Sequence, residues 1–277
     1  MKKSLLALLL VAAVCSLIPA CHKPDIPHKK LCQVNTIIDS TATFGQKYRF
    51  LYNEKRLMDS MSIGATFTPV ANLRIKIDYD YLNRPAYLNI NNVNFYRYVY
   101  QQGRIVRIEE RGPDNQYHPF YTYLLDTRGR IIERTTNGGE LIRWEYEGNS
   151  YSFKRRLLFN SNDHTNPSLI YEYRYDNKIN PWLTWPNTAL MPFYQPLTDI
   201  YQVFEPIPHN NAVYESTTGH LADGSLFKYR EIFSTYQYDD AYPVKRVVQY
   251  VMHDPFGGTQ ESRGSSYYTY DCAGDLH

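Results

Sequence analysis

The chain has 277 residues, with 30 lysines and arginines against 28 aspartates and glutamates, and 27 tyrosines against 3 tryptophans. A net charge of +2 excludes the strongly basic surface of a nucleic-acid-binding domain. Four cysteines are too few for a dense disulfide framework, and no apolar run is long enough for a membrane-spanning helix.

In chain order, Lys2 and Lys3 precede an apolar stretch from Leu5 to Ile18 that is too short to span a bilayer. Ile18-Pro19-Ala20-Cys21 then sets a small residue directly before a cysteine, an ending that resembles a bacterial lipobox. Residues 1–20 are therefore expected to be a lipoprotein signal peptide, with Cys21 lipidated after cleavage. The alternative is an ordinary secretory signal with an incidental Cys21. Several acyl chains on one cysteine hold a protein to a membrane far better than a single chain does. Cleavage removes Lys2 and Lys3, leaving 30 − 2 = 28 basic residues against 28 acidic ones. Residues 21–31 are polar and proline-bearing and are expected to act as a flexible tether.

From Cys32 onward the signals are strand signals. Tyr171, Tyr173 and Tyr175 alternate with Glu172 and Arg174, which places the rings on one face of a strand and the charges on the other. Tyr96, Tyr98 and Tyr100 repeat the pattern, and Tyr121 with Tyr123, Tyr236 with Tyr238, and Tyr268 with Tyr270 echo it. Turn residues follow: Gly103, Asp126 with Gly129, Asn137-Gly138-Gly139, Asp223-Gly224 and Gly257-Gly258. The short gaps require hairpins and antiparallel pairing. The fold expected is all-β, an antiparallel meander of successive hairpins forming an extended twisted sheet with little helix, as a single domain over 32–277.

One long break interrupts the pattern, at about 180–211. It carries six prolines, which exclude a central strand, together with Trp182, Trp185 and Tyr194. Two readings stay open for it, a lid over apolar surface or a ligand-binding loop with those three rings as the contacts. Cys32 and Cys272, near the two ends of the mature chain, are either a disulfide or two buried thiols.

The Tyr-x-Tyr-(Asp/Asn)…Gly-Arg-Ile units resemble the YD repeats of Rhs-type β-repeat proteins. The lipobox, Tyr173-Arg174-Tyr175-Asp176-Asn177-Lys178-Ile179-Asn180-Pro181-Trp182, Tyr236-Gln237-Tyr238-Asp239 and the closing Tyr268-Thr269-Tyr270-Asp271-Cys272 together resemble lipoproteins of Bacteroidota envelopes. The resemblance implies a YD-repeat-like sheet held by its lipid anchor at the outer membrane, facing the periplasm or the cell surface, and no catalytic residue. Two copies depart from the pattern: Asn53-Glu54-Lys55-Arg56-Leu57 lacks the turn glycine, and Asn83-Arg84-Pro85 replaces it, so altered turns are expected there.

Nucleophile elbows, zinc helices and phosphate-binding glycine loops are absent from the sequence, and His118, His164, His209, His220 and His253 are scattered among turns. No cofactor and no metal are expected. Glu145 and Glu172 sit between aromatics and are expected to pair with arginines such as Arg143 and Arg174. The functional expectation is a lipid-anchored, non-catalytic envelope module, binding or structural, with a glycan or an envelope protein as partner and no nucleic acid. The alternative is an envelope glycan hydrolase with a carboxylate pair beside the 180–211 loop.

Overall fold

The structure, a computed structural model, describes residues 32–41, 45–65, 73–181, 193–195, 200–202 and 204–272. The signal peptide, the tether, Cys21, Trp182 and Trp185 lie outside the described residues. The chain divides into two units, Met1–Cys32 with Cys272–His277, and Gln33–Asp271. In the first, Cys32 and Cys272 are joined by a disulfide.

The second unit is built of strands. The first eight are β1 (Cys32–Thr41), β2 (Gly45–Tyr52), β3 (Met58–Ala65), β4 (Leu73–Tyr79), β5 (Pro85–Ile90), β6 (Asn94–Gln101), β7 (Arg104–Arg111) and β8 (Tyr117–Leu125). The next four are β9 (Ile131–Thr136), β10 (Leu141–Tyr146), β11 (Phe153–Phe159) and β12 (Leu169–Ile179). A short pair follows, β13 (Phe193–Gln195) with β14 (Ile200–Gln202). The last four are β15 (Asn210–His220), β16 (Leu226–Asp239), β17 (Tyr242–His253) and β18 (Thr259–Cys272).

The meander is as expected, but the open sheet is not. Sixteen strands close into a barrel in which β1 lies between β18 and β2, and only β13 and β14 stand apart. Closure has a physical cause. Each hairpin carries one apolar, tyrosine-rich face, and an open sheet would leave that face wet and two edges unpaired. Rolling the sheet up buries the face inside. Tyr48, Phe50, Ile63, Ile75, Ile77, Leu88, Tyr98 and Ile108 all fall in that buried interior.

The repeated unit has a defined chemistry. Tyr79, Tyr100, Tyr146 and Tyr270, each near the end of its strand, donate their hydroxyls to the carbonyls of Met58, Pro85, Ile131 and Pro243 on the preceding strand, at 2.7–2.9 Å. Tyr52 does the same to Val34. Each bond ties the end of one strand to the start of its neighbour and satisfies a phenol that would otherwise be buried unpaired. Burial pushes these hydroxyls well above their ordinary pKa.

An Asn or Asp just past the strand holds the turn in three copies, after Tyr52, Tyr79 and Leu125. Asn53, Asp80 and Asp126 each accept from the backbone N–H groups two and four residues on. Arg84 and Arg130 return to Asp80 and Asp126, then lie over the rings of Tyr100 and Tyr146 on the strand beyond. The altered turns expected at 53–57 and 80–85 are not altered. Arg56 and Asn83 adopt the positive φ of +59° that Gly129 adopts at +81° in the third copy, because the side-chain cap sets the turn whichever residue follows.

The outer wall is charged. Arg97 and Glu109 face each other across β6 and β7, Arg143 and Glu133 across β10 and β9, and Arg155 meets both Glu145 and Glu172. The arginine partners expected for those last two glutamates are therefore corrected. Register sets Arg155 directly opposite both of them, while Arg174 lies over the Tyr214 ring.

Candidate functional site

The described end of the long break, from Phe204, reaches the inside of the barrel. Phe204 is fully buried, with its ring 5.0, 5.9 and 6.0 Å from those of Tyr96, Tyr98 and Tyr121 on the inner wall. Its carbonyl accepts from the Tyr123 hydroxyl at 3.0 Å. The next residue, Glu205, receives Arg156 at 2.8 Å and Arg134 at 3.5 Å, one on each carboxylate oxygen. Phe204 and Glu205 thus act as a plug that fills part of the lumen. The segment also contains strand structure, since Tyr194 lies in β13 in register with Tyr201. Of the three rings nominated as ligand contacts, only Tyr194 is among the described residues, and only as part of that strand pair.

Two carboxylates near the plug are committed to arginines. Glu205 has both oxygens engaged, and Glu215 receives Arg230 at 2.7 Å. A glycosidase needs one carboxyl free to protonate a leaving group and another facing the sugar. Neither requirement is met at these two. The histidines are occupied locally: His118 meets Asp114 at 3.0 Å, His164 the carbonyl of Gly139 at 2.8 Å, and His209 stacks on Tyr151. Among the described residues, no three His, Cys, Asp or Glu side chains group as a metal site.

The candidate site lies on strands that sequence reasoning passed over. A concavity of about 1090 Å³ crosses β2 to β5 and is lined on its outer side by Lys47, Arg49, Ser60, Ser62, Arg74 and Lys76. Register explains its shape. Arg49 pairs with Ser62 and Ser62 with Arg74, while Leu51 pairs with Ser60, Ser60 with Lys76, and Lys76 with Asn89. Small side chains on β3 (Ser60, Ser62 and Gly64) form a floor, and long cations on β2 and β4 form the walls. Adjacent strands are about 4.8 Å apart, so the two guanidinium-bearing positions stand roughly 10 Å apart across the floor. Asn89, Asn91 and Asn92 close one side.

Charge there is unbalanced. Lys47, Arg49, Arg74 and Lys76 face the single acid Asp59 among the lining residues. Lys76 reaches Asp78 only at 3.9 Å, with both side chains more than 60% exposed, a pair worth little in water. Lys47, Arg49 and Arg74 form no ion pair among the described residues, whereas Arg97, Arg107, Arg143 and Arg155 elsewhere on the outer wall do. Unpaired guanidinium groups above a hydroxyl floor suit carboxylate or sulfate oxygens, and asparagine amides suit sugar hydroxyls. The signal was present in the alternation of Lys47, Arg49 and Leu51, of Ser60, Ser62 and Gly64, and of Arg74, Lys76 and Asp78. What the sequence lacked was the register that brings them side by side.

No family model and no curated protein matches this chain. Among solved structures it is similar to a porin-like protein from Bacteroides uniformis, with a TM-score of 0.54 and 10% identity over 86% of this chain and 96% of that one. A TcdB2-TccC3 structure aligns with a TM-score of 0.33 and 12% identity, over 79% of this chain and 12% of that one, a likeness too slight to carry an argument. At 10% identity the first similarity shows the fold alone: this chain shares a β-barrel architecture with that protein.

Proposed function

We propose that this chain is a non-catalytic envelope protein, anchored through lipid on Cys21 at the outer membrane, whose outer-wall trough binds an acidic glycan. The observation that carries the ligand class is the set of unpaired cations over a serine floor, Arg49 and Arg74 above all. The barrel neighbour supports the envelope reading, and the lipobox supports the anchor. Tyr87, two residues from Asn89 on the same strand face and 45% exposed, adds a ring on which a sugar can stack.

A pore is not part of the reading. A lipid-facing barrel wall needs an apolar band, and each lysine or arginine at its midplane costs about 2–4 kcal/mol. Here Arg49, Arg74, Arg97, Arg143 and Arg155 sit on the outer face of strands spread around the wall, and the lumen holds Phe204 and Glu205. Such a wall favours water on the outside and lipid only at the N-terminal anchor.

Affinity electrophoresis through gels containing a uronic-acid polysaccharide tests the trough. Retardation of the wild type, lost in Arg49→Ser/Arg74→Ser and absent with a neutral glucan, is the expected result. Equal retardation by the neutral polymer, or an unaffected double variant, removes the ligand assignment. Duplex DNA in the same gels separates glycan recognition from bare attraction to any polyanion. Fractionation addresses the anchor: Cys21→Ala is expected to move from the membrane to the soluble fraction.

A further inference from the structure

A second polar region lies inside the barrel, away from the trough. Trp144, Arg156, Tyr171, Thr217 and Arg230 follow one another in register across β10, β11, β12, β15 and β16, forming a single row on the inner wall. Four buried polar atoms of this row have no hydrogen-bond partner among the described residues: Trp144 Nε1, Arg156 Nε, Thr217 Oγ1 and Arg230 Nε. The Tyr175 hydroxyl, further along β12 from Tyr171, is a fifth. Trp144 is 1% exposed, Arg156 3% and Thr217 7%, so bulk water does not serve these groups.

Their chemistry points one way. An indole N–H and a guanidinium Nε–H can only donate, and the two hydroxyls are able to. Whatever lies against the row must therefore accept. Leaving such donors bare costs roughly 1–3 kcal/mol each.

We infer that the inner-wall row Trp144–Arg156–Tyr171–Thr217–Arg230 is a binding site for a small oxyanion of the phosphate, sulfate or carboxylate class. Glu205 already takes Arg156 through Nη1, and Glu215 takes Arg230 through Nη2. Both therefore leave the Nε edges for the guest. The site is independent of the outer trough and does not depend on its glycan.

The test uses the full chain carrying Arg49→Ser/Arg74→Ser, so that trough binding does not contribute, with inorganic phosphate as the probe in equilibrium dialysis against ionic-strength-matched chloride. Saturable uptake of one equivalent is expected, weakened about tenfold by either Thr217→Val, which removes the hydroxyl, or Arg230→Lys, which removes the Nε–H. The indole N–H resonance of Trp144 in the otherwise unchanged chain should shift as phosphate saturates, which needs no lumen variant to fold. No saturable uptake, uptake indifferent to both variants, or an indole resonance that stays in place overturns the assignment and leaves the row to ordered water.

Discussion

From β2 to β7 the inner wall presents Tyr48, Phe50, Ile63, Ile77, Leu88 and Ile108 to an apolar interior, whereas from β9 to β17 it adds Arg134, Arg156, Arg230 and Arg246 among its apolar residues. Both regions are built by the same unit, a strand ending in tyrosine and a turn held by Asp or Asn. They differ in what the plug brings to each. Phe204 packs its ring among Tyr96, Tyr98 and Tyr121, and its immediate neighbour Glu205 takes Arg134 and Arg156. Two adjacent residues of one segment thus fill opposite kinds of space. Inside a barrel the repeat settles which way a side chain faces, and the remaining residues decide whether that interior is oil-like or ionic.

The comparison breaks most sharply at the plug. Phe204→Ala removes a fully buried aromatic and is expected to cost about 3–5 kcal/mol, read as a lower denaturation midpoint in urea. Glu205→Leu leaves two buried guanidinium groups without their shared carboxylate, a loss of about 3–5 kcal/mol. Adding Arg156→Met to Glu205→Leu should recover part of that loss, because an apolar pair can replace a buried ion pair. Recovery in the double variant distinguishes a charge effect in the polar half from a packing effect like that of Phe204. If the double variant is worse than the single, the polar half is held by packing after all.

Outside the lumen the effects are smaller. Asp126→Ala takes the cap from the 126–130 turn and the partner from Arg130, and about 1–2 kcal/mol should be lost. Asn53→Ala, without the arginine, should lose less in the same denaturation experiment. Burial pulls the Asp126 carboxyl upward, but bonds from the Arg130 side chain and from the Arg130 and Arg128 backbone outweigh it and leave its pKa below the ordinary value.

The smallest effect is pH-dependent. The hydroxyl of Tyr214 is the main cause of a Glu231 pKa of about 2, with Lys228 and His253 adding to it against the opposing pull of burial. A carboxyl depressed in the folded state stabilises fully above its unfolded value, near 4.5, and that stability is lost as pH falls toward 2. Melting temperature should therefore drop across that window, and Glu231→Gln should flatten part of the drop. An identical slope in the variant would mean other carboxylates carry the acid sensitivity.

Much of this was legible in the residues. The parity of Tyr96, Tyr98 and Tyr100 and of Tyr171, Tyr173 and Tyr175 put the rings on one face, and Asp126 with Gly129 marked a turn that is there. Closure was not legible, because no single hairpin states whether β18 will find β1; that depends on twist summed over sixteen strands. Nor was the plug: Phe204 and Glu205 lie in a proline-rich segment without period, and their partners Tyr96 and Arg156 are far off in sequence. The trough was half legible. Its cations alternate visibly along β2 and β4, but only the register across Ser60 and Ser62 sets them face to face.

The central claim is a barrel with its repeat tyrosines inside and an outer wall that carries charge all round. Sedimentation velocity of residues 22–277 in detergent-free buffer tests it most directly. The account predicts a sample that stays dispersed without detergent, because a wall carrying Arg49, Arg97, Arg143 and Arg155 suits water. Aggregation relieved only by detergent would contradict it, since that is the behaviour of a wall made for lipid.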